Sequence, residues 1–119
     1  RYQGRTGFAQ RAWIRNNEAA VIGFMRGYRD AMDWLYDRGN RRAAAALLMA
    51  NDASVTPELA RLSLDILLDA KGGFWRDLAL DLEGIRTVLA LRTRFGVPQK
   101  TLTDPLRYVD LKLHEKAFG

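Results

Sequence analysis

The segment from Trp13 to Gly39, WIRNNEAAVIGFMRGYRDAMDWLYDRG, constrains this chain more than any other stretch. Its apolar residues Val21, Phe24, Met25, Tyr28, Met32, Leu35 and Tyr36 recur at the three- and four-residue steps of one helix face. Glu18, Arg26, Arg29, Asp30, Asp33 and Asp37 occupy the opposite face, where charge stays hydrated. Asn16 or Asn17 offers a short side-chain acceptor to an otherwise unpaired N–H at the start. Gly39 provides the stop, because glycine enters the left-handed conformation at little cost.

Further helices follow in order. Asn40 caps a helix over Arg41–Ala50, an arginine- and alanine-rich run that Asn51-Asp52 breaks. Thr56, Pro57 and Glu58 are a cap, a first-position proline and an acid at the positive helix end. Leu59, Leu62, Ile66 and Leu67 are expected to line one face of that helix, and Lys71-Gly72-Gly73 ends it. Phe74, Trp75 and Leu78 form an apolar cluster expected to pack. Asp81 caps a fourth helix with Ile85, Val88, Leu89, Arg92 and Phe95 on one face, and Gly96-Val97-Pro98 closes it. Thr103-Asp104-Pro105 opens a last helix, expected over Pro105–Ala117.

Residues 1–15 read differently. Gly4 and Gly7 disfavour a helix, so a short strand near Arg5–Gln10 is expected, then one helical turn through Arg11–Arg15. A single strand leaves its ladder groups unpaired, so its partner would lie outside this chain or in another copy. The expectation is one segment over 1–119, strand and turn in 1–15 and helical in 16–119. The fold class is mainly α, four to five helices plus one short N-terminal strand.

The sequence holds no cysteine, which excludes disulfides, thiolate metal sites and cysteine nucleophiles. Its one histidine, His114, cannot build a multi-histidine metal site. No apolar run is long enough to span a membrane, and no signal peptide is visible. The chain opens on Arg1-Tyr2-Gln3 without a methionine and reads as a mature or truncated product. Residues 1–50 contain nine arginines and four acids, so the whole +5 surplus lies there. Such an end can attract nucleic acid or an anionic surface, or simply be a solvated face.

Little points to catalysis. Asp30, Asp33 and Asp37 share a face but alternate with Arg26, Arg29 and Arg38, which reads as pairing along the helix. His114 reads as a surface or edge residue. Gly72-Gly73 lacks the flanking pattern of a phosphate loop. Trp13, Trp34, Trp75, Tyr28 and Tyr36 read as core. A helix-turn-helix would make Pro57–Ala70 the recognition helix. That helix carries Glu58, Asp65 and Asp69 against Arg61 alone, which phosphates would repel.

In order and spacing, RAW…NNEAAVIGFMRGYRDAMDWLYDRGNRRAAAALL, SVTPELA, LDLEGIRTVLALRTRFG and DPLRYVDLKLHEKAF resemble the C-terminal part of solute-binding proteins of ABC importers. The group is the nitrate/sulfonate/taurine and thiamine-precursor-like one, and the resemblance covers residues 8–118. It implies a bilobal α/β type II periplasmic binding protein, of which this chain is the last third. Two lobes close on a small-molecule ligand and present it to an ABC permease. The setting is periplasmic, or lipid-anchored and extracellular. Residues 5–10 would then join a sheet formed elsewhere, and the isolated fragment, lacking cover for its apolar faces, would self-associate. Tyr2 and Arg5 are the candidate ligand contacts, Arg5 as a bidentate partner for an anion. No catalytic residue, cofactor or metal is expected, and no nucleic acid. A relative of this fold that makes thiamine pyrimidine relies on a cysteine-rich segment, which is missing here. The alternative reading is a self-contained helical regulatory or nucleic-acid-binding domain.

Overall fold

A computed structural model describes residues 2–119. Six α-helices occur among them: α1 (Arg11–Asn16), α2 (Glu18–Tyr36), α3 (Arg41–Asn51), α4 (Pro57–Leu67), α5 (Leu82–Phe95) and α6 (Lys112–Phe118), with 3-10 turns at Arg38–Asn40 and Pro105–Arg107. The fold is mainly α, as the periodicity predicts. The expected strand is absent: residues 5–10 form no regular element, because no second strand among the described residues can pair with them. The chain divides into two compact units, Met25–Leu78 and the combination of Arg1–Phe24 with Ala79–Gly119.

In the Met25–Leu78 unit the core is the cluster Ala44, Leu64 and Leu68, with Leu35, Tyr36, Ala45 and Leu48 packed on it. Asp52 shapes the link from α3 to α4 by accepting from the N–H and the hydroxyl of Ser54, at 2.9 and 2.6 Å. Thr56 then accepts from the Leu59 N–H at 3.2 Å, the cap the sequence predicts. The buried face of α4 is Ala60 and Leu64, and Leu68 follows at its C-cap. This corrects the expected face. Of Leu59, Leu62, Ile66 and Leu67, only Leu67 is half-buried, and Ile66 is 70% exposed. The helix is apolar around most of its circumference, so pattern alone does not say which stripe faces inward.

Beyond α4 the chain doubles back. The Gly73 N–H donates to the Asp69 carbonyl at 2.9 Å and the Phe74 N–H to that of Leu67 at 2.8 Å. Only glycine fits here: a Cβ at position 73 would stand 2.5 Å from the Asp69 carbonyl oxygen and 2.6 Å from that of Leu67. The returning loop is then tied to α2. Tyr36 donates its hydroxyl proton to the Phe74 carbonyl at 2.6 Å. Arg76 donates to Asp33 at 2.6 Å, its guanidinium 5.0 Å from the centre of the Tyr36 ring. Asp33 thus pairs across the fold, and not along its own helix as its spacing suggests. Asp37 accepts from the Gly39 N–H at 2.8 Å and starts the 3-10 turn.

In the other unit α5 buries Gly84, Ile85 and Leu89. The Leu102 N–H donates to Thr93 Oγ1 at 2.9 Å, and the buried Pro105 opens the short turn packed on α5. The expected single helix over Pro105–Ala117 is two elements. Asp104 accepts from Leu106 N–H at 3.0 Å and Asp110 from Lys112 N–H at 3.2 Å, and each local turn resets the backbone. Lys116 pairs with Glu18 at 2.6 Å, tying α6 to the start of α2.

Two outcomes follow. Gly73→Ala should lower stability by about 1–3 kcal/mol, the usual effect of forcing a methyl into filled space, read as a shift of the denaturant midpoint. Asp52 lies below its ordinary pKa through its bonds to Ser54, and Asp69 through the N–H groups of Gly72 and Lys71. Groups depressed in the folded state stabilise it above their unfolded pKa of about 4, and that stabilisation is lost as pH falls through the lower folded value. The melting temperature should therefore hold from pH 8 to 5 and drop below about pH 4. A double Asp52→Asn, Asp69→Asn variant, which keeps acceptors but not charge, should show a shallower acid limb.

Candidate functional site

Tyr2 and Arg5 lie on an extended arm beside the first turn of α5. Gln3 joins the two. Its Nε2 donates to the Arg5 carbonyl at 2.7 Å, and its Oε1 accepts from the Asp81 N–H at 3.1 Å. Asp81 in turn accepts from the Glu83 N–H at 3.1 Å. In a capping box, the residue three beyond the cap returns its side chain to the cap N–H. Here that position is Gly84, which has no side chain, and Gln3 supplies the acceptor from elsewhere in the sequence. The same glycine makes the room: a Cβ on Gly84 would stand 2.8 Å from the Gln3 nitrogen and 3.1 Å from the Tyr2 carbonyl carbon.

The arm therefore fixes the backbone of Tyr2 and Arg5 while leaving both side chains exposed. Neither side chain makes a hydrogen bond or ion pair with a described residue. Sequence reasoning missed Gln3 and Gly84. The signal was a glycine in the first turn of an otherwise good helix, a place where it costs stability unless something must come close.

The other sequence candidates are structural. His114 stacks edge-on against Phe118, ring centres 4.9 Å apart. Gly72 and Gly73 form the helix stop. No cluster of three or more acids and histidine fit to hold a metal occurs among the described residues, and no helix there is long and apolar enough to cross a membrane. On α4, Asp65 pairs with Arg61 at 3.2 Å and lies 3.6 Å from Arg41.

What stands out is uncovered hydrocarbon. A cleft of about 300 Å³ opens between Leu35, Ala44, Leu47, Leu48, Leu67 and Phe74. It is almost wholly apolar and lacks the converging polar groups that orient a small ligand. Leu59, Leu62 and Ile66 line a second stripe on α4. Phe8 is 98% exposed on the arm, and Phe24 and Phe95 about two-thirds. Trp13, Trp34 and Trp75, read from sequence as core, are exposed as well; Tyr28 and Tyr36 are half-buried. The loop cluster packs only in part, with Trp75 outside it. The total accessible surface is 9257 Å², whereas two separate compact domains of these sizes would together expose about 7,900 Å².

No family model, curated protein or solved structure matches this chain.

Gly84→Ala tests the arm. Alanine improves α5 by about 1 kcal/mol of helix propensity but displaces the Gln3 backbone. Trypsin should then cut after Arg5 several-fold faster, and the Asp81 amide should exchange faster, with helix content unchanged. Equal cleavage in both proteins would mean that the arm is not held at this glycine.

Proposed function

We propose that this chain is the C-terminal part of a bilobal α/β solute-binding protein of an ABC importer. The protein captures a small solute by lobe closure, in the periplasm or anchored outside the cell, and passes it to a membrane permease. No bond is made or broken.

The observation that carries this reading is the uncovered apolar surface. Helices that serve one side of a sheet carry a face shaped for that sheet, and removing the sheet leaves it bare. The α4 stripe, the apolar cleft and Phe8 are such faces. The N–H groups of residues 5–10 support it too: outside any regular element and without a hydrogen-bond partner among the described residues, they suit a strand position in a larger sheet. The sequence resemblance over residues 8–118 is what suggested this assignment. Within this part the role is bracing, with Tyr2 and Arg5 the only candidate ligand contacts.

Two measurements test the reading. The 119-residue chain alone should scatter light as dimers or larger species at high concentration, because bare apolar faces pair. The full gene product should be stabilised by one member of a panel of nitrate, taurine, alkanesulfonates and a thiamine-type pyrimidine, by about 2.7 kcal/mol at a hundredfold excess over Kd. A monodisperse monomer, with no panel member raising the melting temperature, would overturn it.

A further inference from the structure

A second cleft in the Met25–Leu78 unit has a different chemistry. It has a volume of about 280 Å³ and is lined by Arg41, Arg42, Ala45, Arg61, Leu64 and Asp65, from α3 and α4. Three arginines and one aspartate stand in this lining, a surplus of two positive charges. Asp65 is shared: it accepts from Arg61 at 3.2 Å, but the Arg41 Nη1 lies 3.6 Å away, beyond a hydrogen bond. That nitrogen is shielded from solvent and, beyond its ion pair with Asp65, has no hydrogen-bond partner among the described residues. The rest of the Arg41 side chain is over a third exposed, so the guanidinium can turn this donor toward an arriving acceptor and make the missing bond. Arg42 has no acceptor among the described residues either.

We propose that this cleft binds a phosphate-sized oxyanion, held by Arg41, Arg42 and Arg61 from two helices. Guanidinium forks match tetrahedral oxyanions in geometry and donate two parallel N–H bonds. Ala45 and Leu64 provide an apolar wall that lowers the local dielectric and strengthens each contact. Asp65 is a competitor for the same donors, so it weakens the anion while keeping the empty cleft from repelling itself. This site does not depend on the solute-binding reading. It lies in one unit, and it would bind inorganic phosphate whether or not the protein serves an importer.

The test is a titration of the full chain with inorganic phosphate, followed by phosphorus NMR line broadening and by calorimetry in a chloride buffer. Binding in the millimolar range or tighter is expected. Arg42→Gln and Arg61→Gln, both at exposed side chains, should each weaken it about tenfold, the loss of one charge-assisted contact. Asp65→Asn should tighten it several-fold, which a merely structural ion pair would not do. Sulfate should compete with phosphate, and a phosphomonoester should bind as well as free phosphate if the open side of the cleft admits a substituent. Absence of broadening up to about tenfold above the chain concentration at low salt, or affinity unchanged in all three variants, would overturn the assignment. Arg41 is left intact throughout, because its loss could disturb the contact between α3 and α4.

Discussion

Apolar side chains in this protein outnumber the places where it can bury them. The buried hydrophobic positions among the described residues are Met32, Ala44, Ala60, Leu64, Leu68, Ile85, Leu89 and Ala117, and three of these eight are alanines. No large side chain among the described residues is completely enclosed. Burial contributes roughly 25 cal/mol per Å² of apolar area, so a core built on alanine and half-covered leucine gives little of the driving force that usually dominates. The polar ties must matter more here than in an ordinary domain. The Tyr36 hydroxyl on the Phe74 carbonyl, the Arg76–Asp33 pair, the Gln3 bridge and the Thr93–Leu102 bond each fix a non-helical segment to a helix.

Those ties differ in value. Exposed ion pairs such as Lys116–Glu18 contribute about 0–1 kcal/mol, since solvent screens them and two long side chains lose freedom. Hydrogen bonds between side chain and backbone contribute about 1 kcal/mol, and they specify geometry as well. The turn after α4 shows why geometry counts. Gly73 lets the chain reverse, Phe74 is thereby brought to the rim of the apolar cleft, and Tyr36 then locks the Phe74 carbonyl. One residue without a Cβ thus determines where an aromatic ring and a guanidinium end up.

Much of the local structure was legible in the sequence. Thr56-Pro57-Glu58 and Asp81 start helices where capping chemistry predicts, and the face predicted for α2 is covered except at Phe24. These are short-range signals, encoded within one or two turns. Failures came where the deciding partner is distant in sequence. The stripe of α4 that faces inward is chosen by α3, and the partner of Asp33 is 43 positions away. The arm at residues 5–10 fails as a strand because a strand is a property of two segments, and the second is not among the described residues. The same holds beside the candidate positions Tyr2 and Arg5: the glutamine that holds their backbone was not legible, since its partner is 78 positions on.

The two kinds of bare surface argue for different neighbours. Leu59, Leu62 and Ile66 present hydrocarbon with no donors to satisfy, so any flat apolar layer of suitable width covers them, and specificity there is low. The arginine cleft is the reverse. Its donors demand acceptors in a defined geometry, and a hydrophobic cover would strand them at several kcal/mol each. α4 therefore carries on one side a face that tolerates almost any apolar neighbour and on the other a face that tolerates only an anion or water. A single covering layer cannot satisfy both. Any layer covering the leucine stripe would have to stop short of the Arg61 and Asp65 side chains, at a boundary that runs along the helix between Leu62 and Asp65.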